Sequence, residues 1–157
     1  MIVTLRAPEL LASGHIIDDF TCGVDSVDFW LTRHASRNMT IGASRVFVVA
    51  DDDKRIVGYY CLSNGSILRE KLPHSRRHGT PALAPVLLIG QFGVDTRYQG
   101  RGIGYSMLRD ALMRCARVSL DTGFMFILVH PDGEDAFWFW TKFSFRPHPR
   151  DDLSASC

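Results

Sequence analysis

The sequence predicts a mixed α/β fold, and three observations carry that prediction. Runs of β-branched and aromatic residues recur, in "SRVFVVADDDKRIVGYYCLSNGSI", "VLLIGQFGV" and "FMFILVH". The last two runs are each followed by a stretch with helical spacing. Between the second run and its helix stand three glycines at alternate positions, Gly100, Gly102 and Gly104. Strand, glycine turn, helix, strand is an α/β order.

The elements follow along the chain. "DSVDFWLTRHASRNM" sets Val27, Trp30, Leu31 and His34 at helical spacing, with Asp25 or Ser26 as the expected N-cap. The first apolar run divides around "DDDK" into a hairpin, with strands near 45–51 and 55–67. "LREKLPHSRRHGTPALAP" mixes Pro, Gly and basic residues and reads as a long surface loop. A buried strand is expected over 86–94. A helix follows from about 102 to 120, with Leu108, Leu112, Cys115 and Ala116 as its inner stripe and Gly123 beyond its end. A second buried strand covers 124–130, a helix 134–143, and "SFRPHP" a short final strand. One domain over 1–149 and a polar tail over 150–157 are expected.

Composition narrows the class. The chain has 157 residues, 46% apolar and 22% charged, with a formal net charge of +1. That balance creates no global field toward a polyanion, so any nucleic-acid contact must come from local clusters. Cys22, Cys61, Cys115 and Cys157 form no C-x-x-C pair, which suggests neither zinc nor a disulfide framework, and no metal is expected. The first twenty residues carry early acids and no long apolar run, unlike a secretory leader. No stretch approaches the ~20 apolar residues that span a bilayer. A soluble protein of the cytoplasm, with reduced thiols and no membrane partner, is the expectation.

Glycines ahead of a helix bring bare N–H groups to an anion. A mononucleotide loop is excluded, because Gly104 is followed by Tyr105 and Ser106 and lacks the lysine. A dinucleotide fingerprint would need a glycine where Met107 stands, and its turn would not follow a hairpin. A plain glycine-rich turn is the bland alternative. Gln99, Gly102 and Gly104 fit a third pattern, Gln/Arg-x-x-Gly-x-Gly/Ala, after a strand and before a helix. This resembles the acyl-CoA loop of the GNAT superfamily of N-acetyltransferases, where loop N–H groups and a helix N-terminus hold the CoA pyrophosphate.

The resemblance runs from residue 20 to about 149. "FTCGVDSVDFWLTRHA" resembles the Phe-x-Cys-Gly start of one subfamily and the helix after it. "ASRVFVVADD" and "IVGYYCLSNGSI" resemble its hairpin. "VLLIGQFGVDTRYQGRGIG" resembles its Leu-Gly-Arg-Leu-Ala-Val-Asp strand and CoA loop, and "ILVHPDGEDAFWFWTKFSF" its last core strand and Phe-Tyr-x-x-Phe-Gly-Phe helix. That subfamily comprises toxins of type II toxin–antitoxin pairs that acetylate the α-amino group of aminoacyl-tRNA and so block translation. The resemblance implies a GNAT fold, a mixed, mostly antiparallel central sheet flanked by helices. It also implies acetyl-CoA as cofactor, aminoacyl-tRNA as substrate, a ribbon-helix-helix antitoxin and a homodimer.

It further implies a site. Phe92, Gly93 and Val94 would pair with the pantetheine arm, the Val94 N–H meeting the thioester oxygen. Gln99, Gly100, Arg101, Gly102, Ile103, Gly104 and Tyr105 would hold the pyrophosphate, with Phe139 beside them. Trp140 stands where the family has the tyrosine that protonates the leaving thiolate. An indole N–H donates a hydrogen bond but no proton near neutral pH, and lost acid catalysis is typically worth about 10²–10⁴ in rate. Gln91 replaces the family's arginine and Ser144 its glycine, and the chain stops at Cys157 where relatives add a strand. Three readings stay open: an active aminoacyl-tRNA acetyltransferase, a weakened or inactive acetyl-CoA-binding relative, and an N-acetyltransferase for a small amine or a protein. Of the tyrosines, one of Tyr59 and Tyr60 is expected to face the core, while Tyr98 and Tyr105 flank the loop.

Arg69, Lys71, Arg76 and Arg77 cluster with His74 and His78, and Arg33, Arg37 and Arg45 extend the set. They are expected to contact tRNA phosphates, against the alternative of a solvated loop. His130, at a strand end, is read as a packed or surface histidine ahead of a base. Cys22 lacks a His–Asp partner and is read as structural. The aromatic run Phe137 to Trp140 is expected to pack partly in the core, the rest serving a wall of the acyl channel or a dimer face.

Overall fold

The computed structural model describes residues 3–132, 134–143 and 145. In chain order these form β1 (Glu9–Leu10), α1 (Asp25–Arg33), α2 (Ala35–Thr40), β2 (Arg45–Ala50), β3 (Ile56–Leu68), β4 (Leu83–Val94), α3 (Ile103–Val118), β5 (Phe126–Val129) and α4 (Glu134–Lys142). The sheet runs β1-β2-β3-β4-β5, antiparallel throughout except for the parallel β4–β5 pair. A parallel pair needs a crossover, and α3 provides it. The mixed, mostly antiparallel sheet flanked by helices is therefore present. The final strand over 144–149 and the tail over 150–157 lie outside the described residues, Phe145 excepted.

Both faces of the sheet are covered, which is why its central strands are apolar almost without alternation. Val46 and Val48 of β2 pack with Tyr59, Cys61, Val27 and Leu31 under α1. Phe47 and Val49 point the other way, into a cluster with Val57, Tyr60, Ile89, Met107 and Trp140. Two glycines let the helices come close. A Cβ on Gly58 would lie 2.6 Å from the Met107 sulfur of α3, and one on Gly93 would lie 2.9 Å from Val27 of α1. Neighbouring tyrosines serve opposite layers: the Tyr59 hydroxyl donates to the Val27 carbonyl at 2.6 Å, and the Tyr60 hydroxyl donates to Asp110 of α3. Both rings are fully buried, where one was expected.

Several expectations are corrected. The inner stripe of α3 is Ile103, Met107, Leu108, Ala111 and Cys115, while Leu112 and Ala116 face solvent. The helix meets the sheet along one line, and residues spaced by four fill it. Neither Asp25 nor Ser26 caps α1; the cap position is Val24, in extended backbone with no side-chain cap. Asp28, inside the helix, accepts the Cys22 N–H at 2.9 Å instead. A break at His34 (φ −123°, ψ −27°) separates α1 from α2. The 68–85 connection is less of a loop than expected. β4 begins at Leu83, short 3₁₀ turns cover Arg69–Lys71 and His74–Arg76, and Leu72 is buried against Ile67, Ala84 and Val86.

Candidate active site

The site begins where two strands part. β4 and β5 pair from Val86↔Phe126 to Ile89↔Val129. β5 then ends, while β4 continues to Val94, still paired to β3 on its other edge. At the parting point Gly90 and Gln91 stand opposite the single residue Cys61, a β-bulge that bends β4. Orientation of the free edge follows from one bond. The Asp95 N–H donates to the Val57 carbonyl on β3 at 2.8 Å. Successive amides of a strand alternate in direction, so the N–H groups of Val94 and Phe92 turn to the edge that β5 has left.

β4 leads directly into the glycine turn. Asp95, fully buried, holds it. Its carboxylate accepts from the Thr21 N–H at 3.2 Å, the Arg97 N–H at 2.9 Å, and both Nε and Nη2 of Arg97 at 2.9 Å. Burial alone would raise the carboxyl, but these donors hold it below the usual aspartate range. The Gln99 side chain turns inward, its Nε2 donating to the carbonyls of Cys22 at 2.9 Å and Val94 at 2.8 Å. Gln99 thus fastens the turn to β4 and to the segment before α1. Gly100 and Gly102 adopt φ of +78° and +82°, which side chains rarely tolerate. Gly102 caps α3 without any side-chain bond, so the first N–H groups of that helix have no side-chain cap. Above Gly100 and Gly102 the space is open, and a Cβ on Gly104 would touch the Phe139 ring at 3.4 Å. Arg101 is exposed, its guanidinium carbon 5.3 Å from the Tyr98 ring centroid. The Tyr105 ring lies 5.6 Å from that of Phe143.

The other end of the open edge is aromatic. The Phe92 ring lies 5.4 Å from Phe139 and 5.0 Å from Trp140, and Trp140 lies 5.0 Å from Phe145. Trp140 is 4% exposed, a core residue. Phe137 and Trp138 have side chains outside the described set. The Gln91 side-chain oxygen is buried with no hydrogen-bond partner among the described residues. Tyr59 and Tyr60 are pushed well above the usual tyrosine range, by burial first. Burial also raises the Cys22 thiol to about 12, which keeps it protonated and structural.

The structure thus brings Phe92, Gly93, Val94, the 99–105 turn and Phe139 together along one edge. The basic residues fall elsewhere, on two elements: Lys71, Arg76 and Arg77 on the β3–β4 connection, and Arg37 on α2. Arg76 is exposed. Arg77, half-buried, also braces the connection, donating to the carbonyls of Leu72 at 3.0 Å and Glu70 at 2.9 Å. His130, just past β5, has Nε2 3.9 Å from Asp132, whose other oxygen accepts from Ser26 at 3.4 Å. Asp95 was missed from the sequence: its Thr21 partner lies 74 residues away, although its other donors all belong to Arg97, two residues on. The local signs are an acid closing an apolar strand and that arginine. Among the described residues no His, Cys, Asp and Glu side chains group as metal ligands, and no helix is long and apolar enough to cross a membrane.

Comparison with known proteins bears on the family and the fold. The acetyltransferase (GNAT) family model matches residues 15–145. A tRNA-acetylating toxin of Mycobacterium tuberculosis is 36% identical over 147 residues, spanning 94% of this chain and 88% of that protein. The fold is similar to AtaT complexed with acetyl-methionyl-tRNAfMet, with a TM-score of 0.85, 23% identity, and 96% and 92% of the two chains covered. It is also similar to a mutant AtaT toxin bound to acetyl-CoA and the C-terminus of the antitoxin AtaR, with a TM-score of 0.80, 21% identity, and 96% and 89% covered.

Proposed function

The chain belongs to the acetyltransferase (GNAT) family, and we propose that it acetylates the α-amino group of an amino acid carried on tRNA, with acetyl-CoA as donor. One observation carries the transfer chemistry: among the described residues the β5-side edge of β4 past Ile89 is unpaired and leads through the glycine turn to the N-terminus of α3, whose cap position Gly102 makes no side-chain bond. The acceptor is supported by the 36% identity to a tRNA-acetylating toxin.

The residues present fit acetyl-CoA, which when bound supplies an activated acyl thioester. The amides of the 100–104 turn and the first turn of α3 offer donors and a positive dipole end to a pyrophosphate. Arg101 adds a cation at the rim. The N–H groups of Phe92 and Val94 face an extended amide-bearing arm as a neighbouring strand would. Val94, nearer the turn, or Phe92, nearer the bulge, donates to the thioester oxygen as charge builds there. Placing amine and thioester on one edge supplies much of the acceleration. An aminoacyl ester amine is less basic than a lysine amine, so it reaches its neutral, attacking form without a strong protein base.

Trp140 gives no proton, and its ring is committed to the core. We therefore expect turnover slower than in relatives with a tyrosine there. A second reading, acetyl-CoA binding without turnover, is favoured by Trp140 alone. The proposal extends to Arg76, Arg77, Lys71 and Arg37 as tRNA-facing cations, to a homodimer, to a ribbon-helix-helix antitoxin and to work in the cytoplasm, where charged tRNA is found.

The test is to incubate the purified protein with labelled acetyl-CoA and total charged tRNA. Label on the aminoacyl end is expected. Acetyl-CoA binding with no label on charged tRNA would overturn the acceptor assignment and leave the donor site standing.

A further inference from the structure

One ring on α1 contributes nothing to the core. Val27 and Leu31 are the buried residues of that helix, yet Phe29 is 55% exposed. Charge surrounds it. The Arg33 guanidinium carbon lies 6.0 Å from its ring centroid, and the His34 imidazole meets it edge-on at 5.6 Å. Arg37, also exposed, follows one turn into α2.

The direction of this patch follows from helical spacing. Ser26, Phe29 and Arg33 lie three and four residues apart, on one flank of α1. Ser26 reaches Asp132, just past the end of β5, at 3.4 Å. That flank therefore faces the end of the sheet where β4 and β5 have parted. Trp30 anchors the helix there, its ring stacked on Tyr59 at 6.1 Å and 6°. Of the acids of α1, Asp28 is turned to the Cys22 N–H, while Asp25, exposed one turn before Phe29, shares its flank at the helix N-terminus, so the cations Arg33 and Arg37 lie at the other end of the patch.

We propose that Phe29, with Arg33 and Arg37, is a stacking platform for an unpaired nucleobase at the single-stranded end of the RNA acceptor. The inference rests on the tRNA reading of the site. An aromatic face stacks on any base, and flanking arginines add cation–π attraction and phosphate contacts. Single-stranded ends are where proteins recognise RNA in this way. A second copy of the chain is the competing occupant. A two-fold contact centred on Phe29 would bring Arg33 and Arg37 of one copy toward those of the other, which like charge disfavours.

Three variants test it: Phe29→Ala, Phe29→Leu and Phe29→Tyr, each measured for charged-tRNA kinetics, acetyl-CoA affinity and sedimentation. We expect Phe29→Ala and Phe29→Leu to raise KM for charged tRNA roughly fivefold or more, as loss of one stacked base does. Acetyl-CoA affinity stays in place, and Phe29→Tyr restores KM. A wild-type KM in Phe29→Leu would overturn the platform, since an apolar side chain without a π-face would then suffice. Conversion of a dimer to monomer by Phe29→Ala would also overturn it, in favour of a self-interface. If the wild-type protein labels no charged tRNA, the acceptor reading falls and the platform with it. Wild-type labelling with all three variants unchanged sinks the platform alone.

Discussion

The two ends of the candidate site are built from different material. At the phosphate end the groups offered are backbone amides, aimed by two left-handed glycines and a buried aspartate. At the acyl end the Phe92 and Val94 amides lie beside a wall of side chains: Phe92, Phe139 and Trp140 packed ring against ring, with Gln91 at the bulge. The difference teaches where this chain was free to change. Backbone donors depend on conformation, so the glycines and Asp95 leave little latitude. Side-chain packing tolerates exchange of one large aromatic for another, and two of the departures from the family pattern, Trp140 and Gln91, fall at the acyl end; a third, Ser144, lies outside the described residues.

The largest effect should come from breaking the aromatic end. Trp140→Ala empties a site among Phe92, Phe139 and Phe145, and such truncations cost about 3–5 kcal/mol. Denaturant unfolding measures it. A loss under about 1 kcal/mol would mean that the ring is not a core residue, and the contrast between the ends would fail.

Asp95→Asn comes next and attacks the phosphate end through its support. It strips the charge from the bonds made by Arg97 and Thr21 while the asparagine oxygen still accepts, so the net loss is about 1–3 kcal/mol. The pH dependence has a definite sign. The folded carboxyl is held below the usual aspartate value, so its contribution is complete above about pH 4. It is lost as pH falls through the depressed folded value, where the unfolded chain already binds the proton. Stability measured from pH 6 down to pH 2 should therefore fall less steeply in Asp95→Asn than in the wild type. Equal slopes would remove Asp95 from the account of the turn.

Gly102→Val tests the backbone directly. A β-branched residue at φ +82° costs roughly 1–2 kcal/mol of strain. Its side chain would also fill the open space above the turn. We expect acetyl-CoA affinity to drop at least about tenfold, the equivalent of 1.4 kcal/mol, with the protein still folded by circular dichroism. Unchanged affinity would mean that this turn does not meet the donor's phosphates.

What the sequence made legible follows the same division. The strands of the core were readable because β-branched runs leave few alternatives, and the turn because its glycines are neighbours in the chain. Non-local ties stayed hidden. β1 is two residues long and exists only by pairing with Phe47 and Val48. Gln99 carries a motif position, yet its amide works inward on Cys22, 77 residues away. The α3 stripe was displaced because Met107, above Gly58, marks the line of contact and no local pattern reveals that. The break at His34 likewise carries no glycine or proline to announce it. Trp140 was readable as a departure from a pattern, but its burial was not, since that depends on Phe92 and Phe145 meeting it.

The smallest expected effect concerns two adjacent arginines that sequence alone treats as equal. Arg77 donates its guanidinium to the carbonyls of Glu70 and Leu72, so Arg77→Glu would disturb the connection itself. Arg76 is exposed and its backbone carbonyl, not its guanidinium, takes part in the fold by accepting from the Thr80 hydroxyl at 2.7 Å. Arg76→Glu therefore isolates charge from structure. A lost phosphate contact on single-stranded or duplex RNA lowers the salt slope of log K by about 0.7–0.9. We expect Arg76→Glu to weaken charged-tRNA use a few-fold at low salt, less at high salt, with acetyl-CoA affinity unchanged. A salt-independent loss, or an equal loss of acetyl-CoA binding, would show the connection acting on the fold and would take Arg76 out of the RNA-facing surface.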